Sequence, residues 1–194
     1  AYTCQLVCEK TLDDGSRGCI AQGDVQKYYD SIPVVKVLAY LHQRGVCPHL
    51  LAAACAVQCL PEVSFTLFGS ECKIRDRTIG CITGSRVAGC IGHAIMFDLV
   101  ENGAGSSTRN GWPSNNPFVT LMVWIDNLYS FGGTGRQAVG ILEEAEKSLK
   151  SKWHLDIKPS SRSVFVFRGA DRSAIEPMWN PSSDMLVLGH HLSG

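Results

Sequence analysis

The stretch Ile20-Ala21-Gln22-Gly23-Asp24-Val25-Gln26-Lys27-Tyr28-Tyr29-Asp30-Ser31-Ile32-Pro33 opens as a short strand, runs into a carboxylate and then starts a helix. Ser31 is a cap candidate. Pro33 suits a first helical turn, where its missing N–H is one that the helix would leave unpaired anyway. The helix is predicted from Pro33 to Gln43, stopped by Gly45. A second, more apolar helix is expected from Pro48 to Leu60. Val63, Phe65 and Leu67 then alternate as in a strand, which Gly69-Ser70 turns back into Cys72-Lys73-Ile74 as a hairpin.

Downstream, a glycine-containing segment from Gly80 to Gly84 leads into a predicted helix from Arg86 to Glu101. Asn102-Gly103 and a polar loop reaching Pro117 follow. Phe118 to Ile125 reads as a dense apolar strand, Asp126-Asn127 as a tight turn, and Leu128 to Phe131 as the returning strand. Val139, Leu142, Ala145 and Leu149 recur at three- and four-residue steps, so an amphipathic helix is expected from Thr134 to Lys152 with Glu143, Glu144 and Glu146 on its wet side. Ser163 to Phe167 and Met185 to Leu188 close the series as strands. With the second helix and the hairpin set aside as an insertion, the order is strand, helix, strand, strand, helix, strand. That is an α+β, ferredoxin-like (split βαβ) arrangement, an antiparallel sheet with helices on one face.

The 194 residues are 45% hydrophobic and 19% charged, as in ordinary globular domains. Lys+Arg and Asp+Glu are both 18, so no global basic field marks a nucleic-acid binder, although a neutral total is compatible with a local basic groove. The longest apolar runs, Leu50 to Val57 and Phe118 to Ile125, fall short of the roughly 20 residues of a membrane helix, so no membrane partner is expected. The N-terminus has no signal-peptide pattern, and the sequence reads as an excerpt of a longer chain. Nine scattered cysteines point to reduced thiols and an intracellular protein, in nucleus or cytoplasm and not secreted. Cys4/Cys8 and Cys55/Cys59 are each four apart, but without a second Cys-x-x-Cys or a His pair they are not read as a zinc site. His154 and His190-His191 are read as surface or packing residues.

In the expected sheet the first strand neighbours the central hairpin, so Asp24 and Asp126 converge although they are distant in sequence. Two carboxylates at one sheet edge repel unless a cation joins them. Mg²⁺ prefers carboxylate oxygen, keeps waters and takes further ligands from substrate phosphates, which suggests two-metal phosphoryl transfer. The competing structural reading is that Asp24 ends a strand and Asp126-Asn127 makes an ordinary turn. Asp30 and Asp98 are expected to face water or cap local turns.

Read as a unit, Gly23 to Pro33 resembles motif A of reverse transcriptases of the non-LTR retrotransposon and group II intron type, Asp-Ile-x-x-Ala-Phe-Asp-Ser-Ile, with Tyr28 in place of the usual Ala. The resemblance implies that Asp24 ligates two metal ions, that the Val25 carbonyl joins one of them, and that Tyr29 gates against a 2′-hydroxyl. Gly80-Cys81-Ile82-Thr83-Gly84-Ser85-Arg86-Val87-Ala88 is similar to motif B, with Thr83 for Gln and the Arg displaced to Arg86. Thr83, Gly84 and Arg86 are thereby implied in nucleotide binding, since a glycine turn admits the nascent base pair and a helix start favours phosphate. Val123-Trp124-Ile125-Asp126-Asn127-Leu128 resembles the Tyr-Ala-Asp-Asp hairpin of motif C, giving Asp126 the metal position and Asn127 the place of the second Asp. Leu155 to Arg162 resembles the end of motif D with Ser161 where the family has Lys, a role open to Lys158 or Arg162. Met185-Leu186-Val187-Leu188-Gly189 is similar to motif E, which makes Leu188 and Gly189 the primer grip.

The five motifs occur in family order. They imply that residues 1–194 hold a reverse transcriptase palm with part of the fingers, the inserted helix and hairpin, while the thumb and most of the fingers lie outside. The implied activity is RNA-directed DNA synthesis for a retroelement, with two Mg²⁺ ions as cofactors, Mn²⁺ as a substitute, and an RNA template, a DNA primer and deoxynucleoside triphosphates as partners. Oligomeric state is not readable. The alternative, motivated by Asn127, Tyr28, Thr83 and Ser161, is a catalytically decayed domain that binds nucleic acid or a partner.

Overall fold

A computed structural model describes residues 18–61, 63–74, 78–103, 120–167, 179–182, 184–187 and 190–193. The first strand, β1 (Cys19–Asp24), is followed by a one-turn helix α1 (Tyr28–Ser31), then α2 (Val34–Gln43), α3 (Pro48–Cys59), and the hairpin strands β2 (Val63–Leu67) and β3 (Ser70–Ile74). Next come α4 (Arg86–Asp98), β4 (Leu121–Trp124), β5 (Asn127–Gly132) and α5 (Gly135–Ser148). The last strands are β6 (Ser163–Val166), β7 (Asn180–Ser182), β8 (Asp184–Val187) and β9 (His190–Ser193).

A five-stranded sheet has the order β4-β5-β1-β6-β7, which puts β1 beside the β4–β5 hairpin. The β4-β5, β5-β1 and β1-β6 pairs are antiparallel. The pairing of β6 with β7 is parallel and departs from the all-antiparallel sheet expected from the sequence. As a central strand, β1 buries Cys19, Ile20 and Ala21 completely. Gly23 is required by close approach, since a Cβ there would sit 2.9 Å from Ile157 Cγ2.

Helix α5 lays Ala138, Val139, Leu142 and Ala145 onto β1 and β5, and the Thr134 hydroxyl caps it by accepting from Gln137 N at 3.3 Å. The predicted run to Lys152 changes character at Leu149–Trp153, which winds as a π-helical turn and buries both Leu149 and Trp153. Helix α4 ends in the same way, at Leu99–Gly103. Glu146, expected on the wet side, is instead tied to Arg162 in an ion pair whose side chains are largely covered. Ser31 closes α1 rather than capping α2, whose cap position is Pro33 and carries no side-chain hydrogen bond.

Asp98, expected to face water or cap a turn, is 1% exposed. Its carboxylate accepts from Lys152 Nζ at 2.7 Å, Asn102 Nδ2 at 2.9 Å and Trp153 Nε1 at 3.0 Å, so the charge is buried but paired. Burial pushes this carboxyl up, yet the three hydrogen bonds outweigh burial and hold it below the ordinary carboxylate range. No helix among the described residues is long and apolar enough to cross a membrane.

Candidate active site

Asp24 is the last residue of β1 and lies opposite Asn127, the first of β5. One residue on, Val25 N donates to the Asp126 carbonyl at 2.9 Å, so the ladder runs past the strand ends. On its other flank the chain at Asp24 is held by Leu155 to Lys158. Lys158 N donates to the Asp24 carbonyl at 2.8 Å, Gln26 N donates to the Asp156 carbonyl at 2.8 Å, and Val25 bridges Ile157. Both aspartates are therefore fixed by backbone, at the end of the central strand and at the turn beside it.

The hairpin turns at Ile125-Asp126, one residue earlier than predicted, and Asn127 already pairs in β5. Ile125 takes φ +58°, a left-handed conformation that a β-branched residue rarely adopts. Asn127 Nδ2 donates to Asp126 Oδ1 at 3.2 Å, so the amide braces the neighbouring carboxylate. Burial and then the Asp126 charge raise the Asp24 carboxyl, while Lys158 lowers it. Two carboxylates beside a short hairpin form a donor set that suits a hard, hydrated cation, whose charge would relieve the repulsion felt by Asp24. Among the described residues no group of three or more His, Cys, Asp and Glu side chains is arranged to hold a metal ion.

Tyr29 is half-buried on α1. Burial and the Asp126 charge both push its phenol up, so Tyr29 is within electrostatic reach of Asp126. The glycine turn lies directly against it: Cys81 N donates to the Tyr29 carbonyl at 2.7 Å, and Gly80 N to the Ile32 carbonyl at 2.8 Å. Gly80 and Gly84 have φ +86° and +84°, which an L side chain would resist. Thr83, Gly84 and Arg86 are exposed, with Arg86 opening α4 behind the Ser85 cap. The structure thus joins Asp24, Val25, Tyr29, Asp126 and Asn127 at one place and sets the Gly80–Gly84 turn alongside. Leu188 and Gly189, the primer-grip expectation, lie outside the described residues.

Gln58 is not identified by sequence reasoning as part of this arrangement, and the structure gives Ser161 and Lys158, read at the end of motif D, specific relations to Asp24. Gln58 of α3 is fully buried, accepts from Ile82 N at 2.7 Å and donates from Nε2 to Ser85 Oγ at 3.2 Å, clamping the glycine turn. A lone amide in the apolar run Ala52 to Cys59 was its only signal. Ser161, at the family's Lys position, accepts from Asp24 N at 2.9 Å and donates to the Lys158 carbonyl at 2.7 Å. Of the two cations open to the Lys role, Arg162 pairs with Glu146, whereas Lys158 acts on Asp24. Beside the hairpin, Trp124 and Ile125 border a cleft of about 580 Å³ shared with Met96, Phe97 and Val100 of the α4 region.

No protein-family profile and no curated protein matches the sequence. Solved structures do. A telomerase from Candida tropicalis, in its apo form and truncated from its C-terminal domain, superposes with a TM-score of 0.67 at 9% identity over 97% of this chain and 37% of its own. A telomerase from Candida albicans, in complex with a TWJ fragment of telomeric RNA, gives 0.60 at 8% identity over 99% of this chain and 32% of its own. The fold is accordingly one shared with part of these two telomerases. The chain spans little more than a third of the first telomerase and less of the second.

Proposed function

We propose that this chain carries the polymerising site of an RNA-directed DNA polymerase, with the palm and part of the fingers within residues 1–194. The observation that supports this most is the meeting of Asp24 and Asp126 at the ends of adjacent strands, with Tyr29 within electrostatic reach of Asp126. In the reaction the primer 3′-hydroxyl oxygen attacks the α-phosphorus of a deoxynucleoside triphosphate in line. The new O–P bond forms as the bond to the β-phosphate oxygen breaks, and the hydroxyl proton passes to solvent. Asp24 and Asp126, with the Val25 carbonyl, would hold the two Mg²⁺ ions, which when bound lower the hydroxyl's pKa and neutralise the departing pyrophosphate.

The chain's own groups do the positioning. Tyr29 bounds the sugar site. The Gly80–Gly84 turn, with Thr83 and the α4 start at Arg86, meets the nucleotide, and Lys158 brings positive charge to the carboxylates. Half-exposed Trp124 offers a flat apolar surface to the primer end, since a base or sugar stacks on an aromatic face irrespective of sequence. RNA template, DNA primer and deoxynucleotides are the partners in this reading. The motif A residues favour a retroelement enzyme of the non-LTR or group II intron type, working in nucleus or cytoplasm. Asp24→Asn in the full-length protein should lower primer extension by on the order of a thousandfold, and extension at the wild-type rate would refute the assignment.

A further inference from the structure

Tyr28 stands where the resembled motif has Ala, and the structure shows where its ring goes. It is 3% exposed, and its phenol donates to the Gly92 carbonyl in the middle of α4 at 2.6 Å. Gly92 has no side chain to obstruct it: a Cβ there would lie 3.1 Å from Tyr28 Cε1 and 3.6 Å from Tyr29 Cε1. The rings of Tyr28 and Tyr29 meet edge to face, with centroids 5.4 Å apart. One missing methyl group on α4 therefore makes room for the Tyr28 ring, with the Tyr29 ring at ordinary contact distance from the same spot, and one hydrogen bond anchors the inner ring that backs the outer. A buried phenol without an acceptor would be costly, so the Gly92 carbonyl fixes the depth of Tyr28 as well as its direction.

We propose that Tyr28 and Gly92 form a positioning pair that sets how far Tyr29 projects into the nucleotide site, and hence how strongly ribonucleotides are rejected there. The inference rests on the polymerase reading and adds to it two residues that touch neither metal nor nucleotide. A ring wedged between Tyr28 and α4 has little latitude in a close-packed interior. Truncating Tyr28 lets Tyr29 retreat and opens the sugar site. Filling Gly92 crowds the Tyr28 ring, which presses outward on Tyr29 and narrows it.

The test is single-nucleotide extension by the full-length protein, read as the ratio of kcat/KM for a ribonucleotide to that for the matching deoxynucleotide. Tyr28→Ala should raise the ratio by on the order of fivefold, Gly92→Ala should lower it, and in the Tyr28→Ala background Gly92→Ala should have little further effect because the ring it crowds is gone, since residues in contact do not act additively. Tyr28→Phe keeps the ring and should shift the ratio less than Tyr28→Ala. A merely structural role would reduce both efficiencies together and leave the ratio unmoved, which would overturn the proposal. Shifts of Tyr28→Ala and Gly92→Ala in the same direction, or strictly additive shifts, would overturn it too. If Tyr28→Ala fails to fold, Gly92→Ala and Tyr28→Phe decide by the same ratio. Wild-type protein that extends neither nucleotide would refute the polymerase reading itself, an outcome distinct from an active enzyme with an unmoved ratio.

Discussion

Val25 N donates to the Asp126 carbonyl at 2.9 Å, so the residue after one candidate metal ligand is hydrogen-bonded to the backbone of the other. The spacing of the carboxylates is thus set by main chain, while their charge balance is set by the side chains around them. Asn127 is the neutral member of that group and donates to Asp126. Asn127→Asp exchanges a donor for an anion and should tighten Mn²⁺ binding by on the order of tenfold, because affinity for hard cations rises with the count of charged oxygens. Calorimetric titration of the purified protein measures this directly. Equal affinities in the two proteins would place the cation away from Asp126.

The buried clamp on the glycine turn has a stability signature. Gln58→Ala leaves Ile82 N without its acceptor and removes one of the two donors to Ser85 Oγ, which keeps Val87 N. A loss of about 1–3 kcal/mol is expected on denaturant unfolding. If the same change also lowers nucleotide affinity, α3 is coupled to the nucleotide site through this one side chain.

Much of the framework was legible because it is local. The β1 carboxylate, the β4–β5 hairpin and the amphipathic face of α5 follow from periodicity and turn residues, and the structure places each within a few residues of expectation. Asp98 was misread for a definite reason: its partners Lys152 and Trp153 lie far along the chain, and a sequence pattern holds no record of long-range pairing. Gln58 and the parallel β6–β7 pair were hidden in the same way. The turn slipped by one residue because Asp-Asn has strong turn chemistry and Ile125 has none, so tertiary pairing of Trp124 with Asn127 overrode local preference.

Asp98 gives a pH-dependent prediction. Its carboxyl is held below its ordinary value, so the unfolded chain binds that proton more tightly than the folded protein does. The stability it contributes is present above the ordinary carboxylate pKa and is lost as pH falls through that value and on through the depressed one. Asp98→Asn should therefore be less stable than wild type at pH 7 by about 2 kcal/mol, short of the roughly 3–5 kcal/mol of a wholly buried pair. Lys152, at 42% exposure, can return to water. The gap should close below about pH 4. Thermal unfolding across pH checks it, and a constant gap would mean that the charge of Asp98 is immaterial.

The left-handed Ile125 carries a strain that glycine would release. In a two-residue hairpin turn the first central position with positive φ is a glycine site, and an L side chain there costs about 1–2 kcal/mol. Ile125→Gly should raise stability by about 1 kcal/mol in thermal unfolding. A loss of stability would mean that the contacts of Ile125 beside Trp124 outweigh its backbone conformation.

The central claim is that Asp24 and Asp126 form a working polymerase site, and primer extension on an RNA template by the full-length protein tests it most directly. Wild type, Asp126→Ala and Asn127→Asp should be compared with Mg²⁺ and with Mn²⁺. The account predicts extension by wild type, its abolition in Asp126→Ala, and activity retained in Asn127→Asp. A wild-type protein inactive with both ions, or one whose extension survives Asp126→Ala, would contradict it.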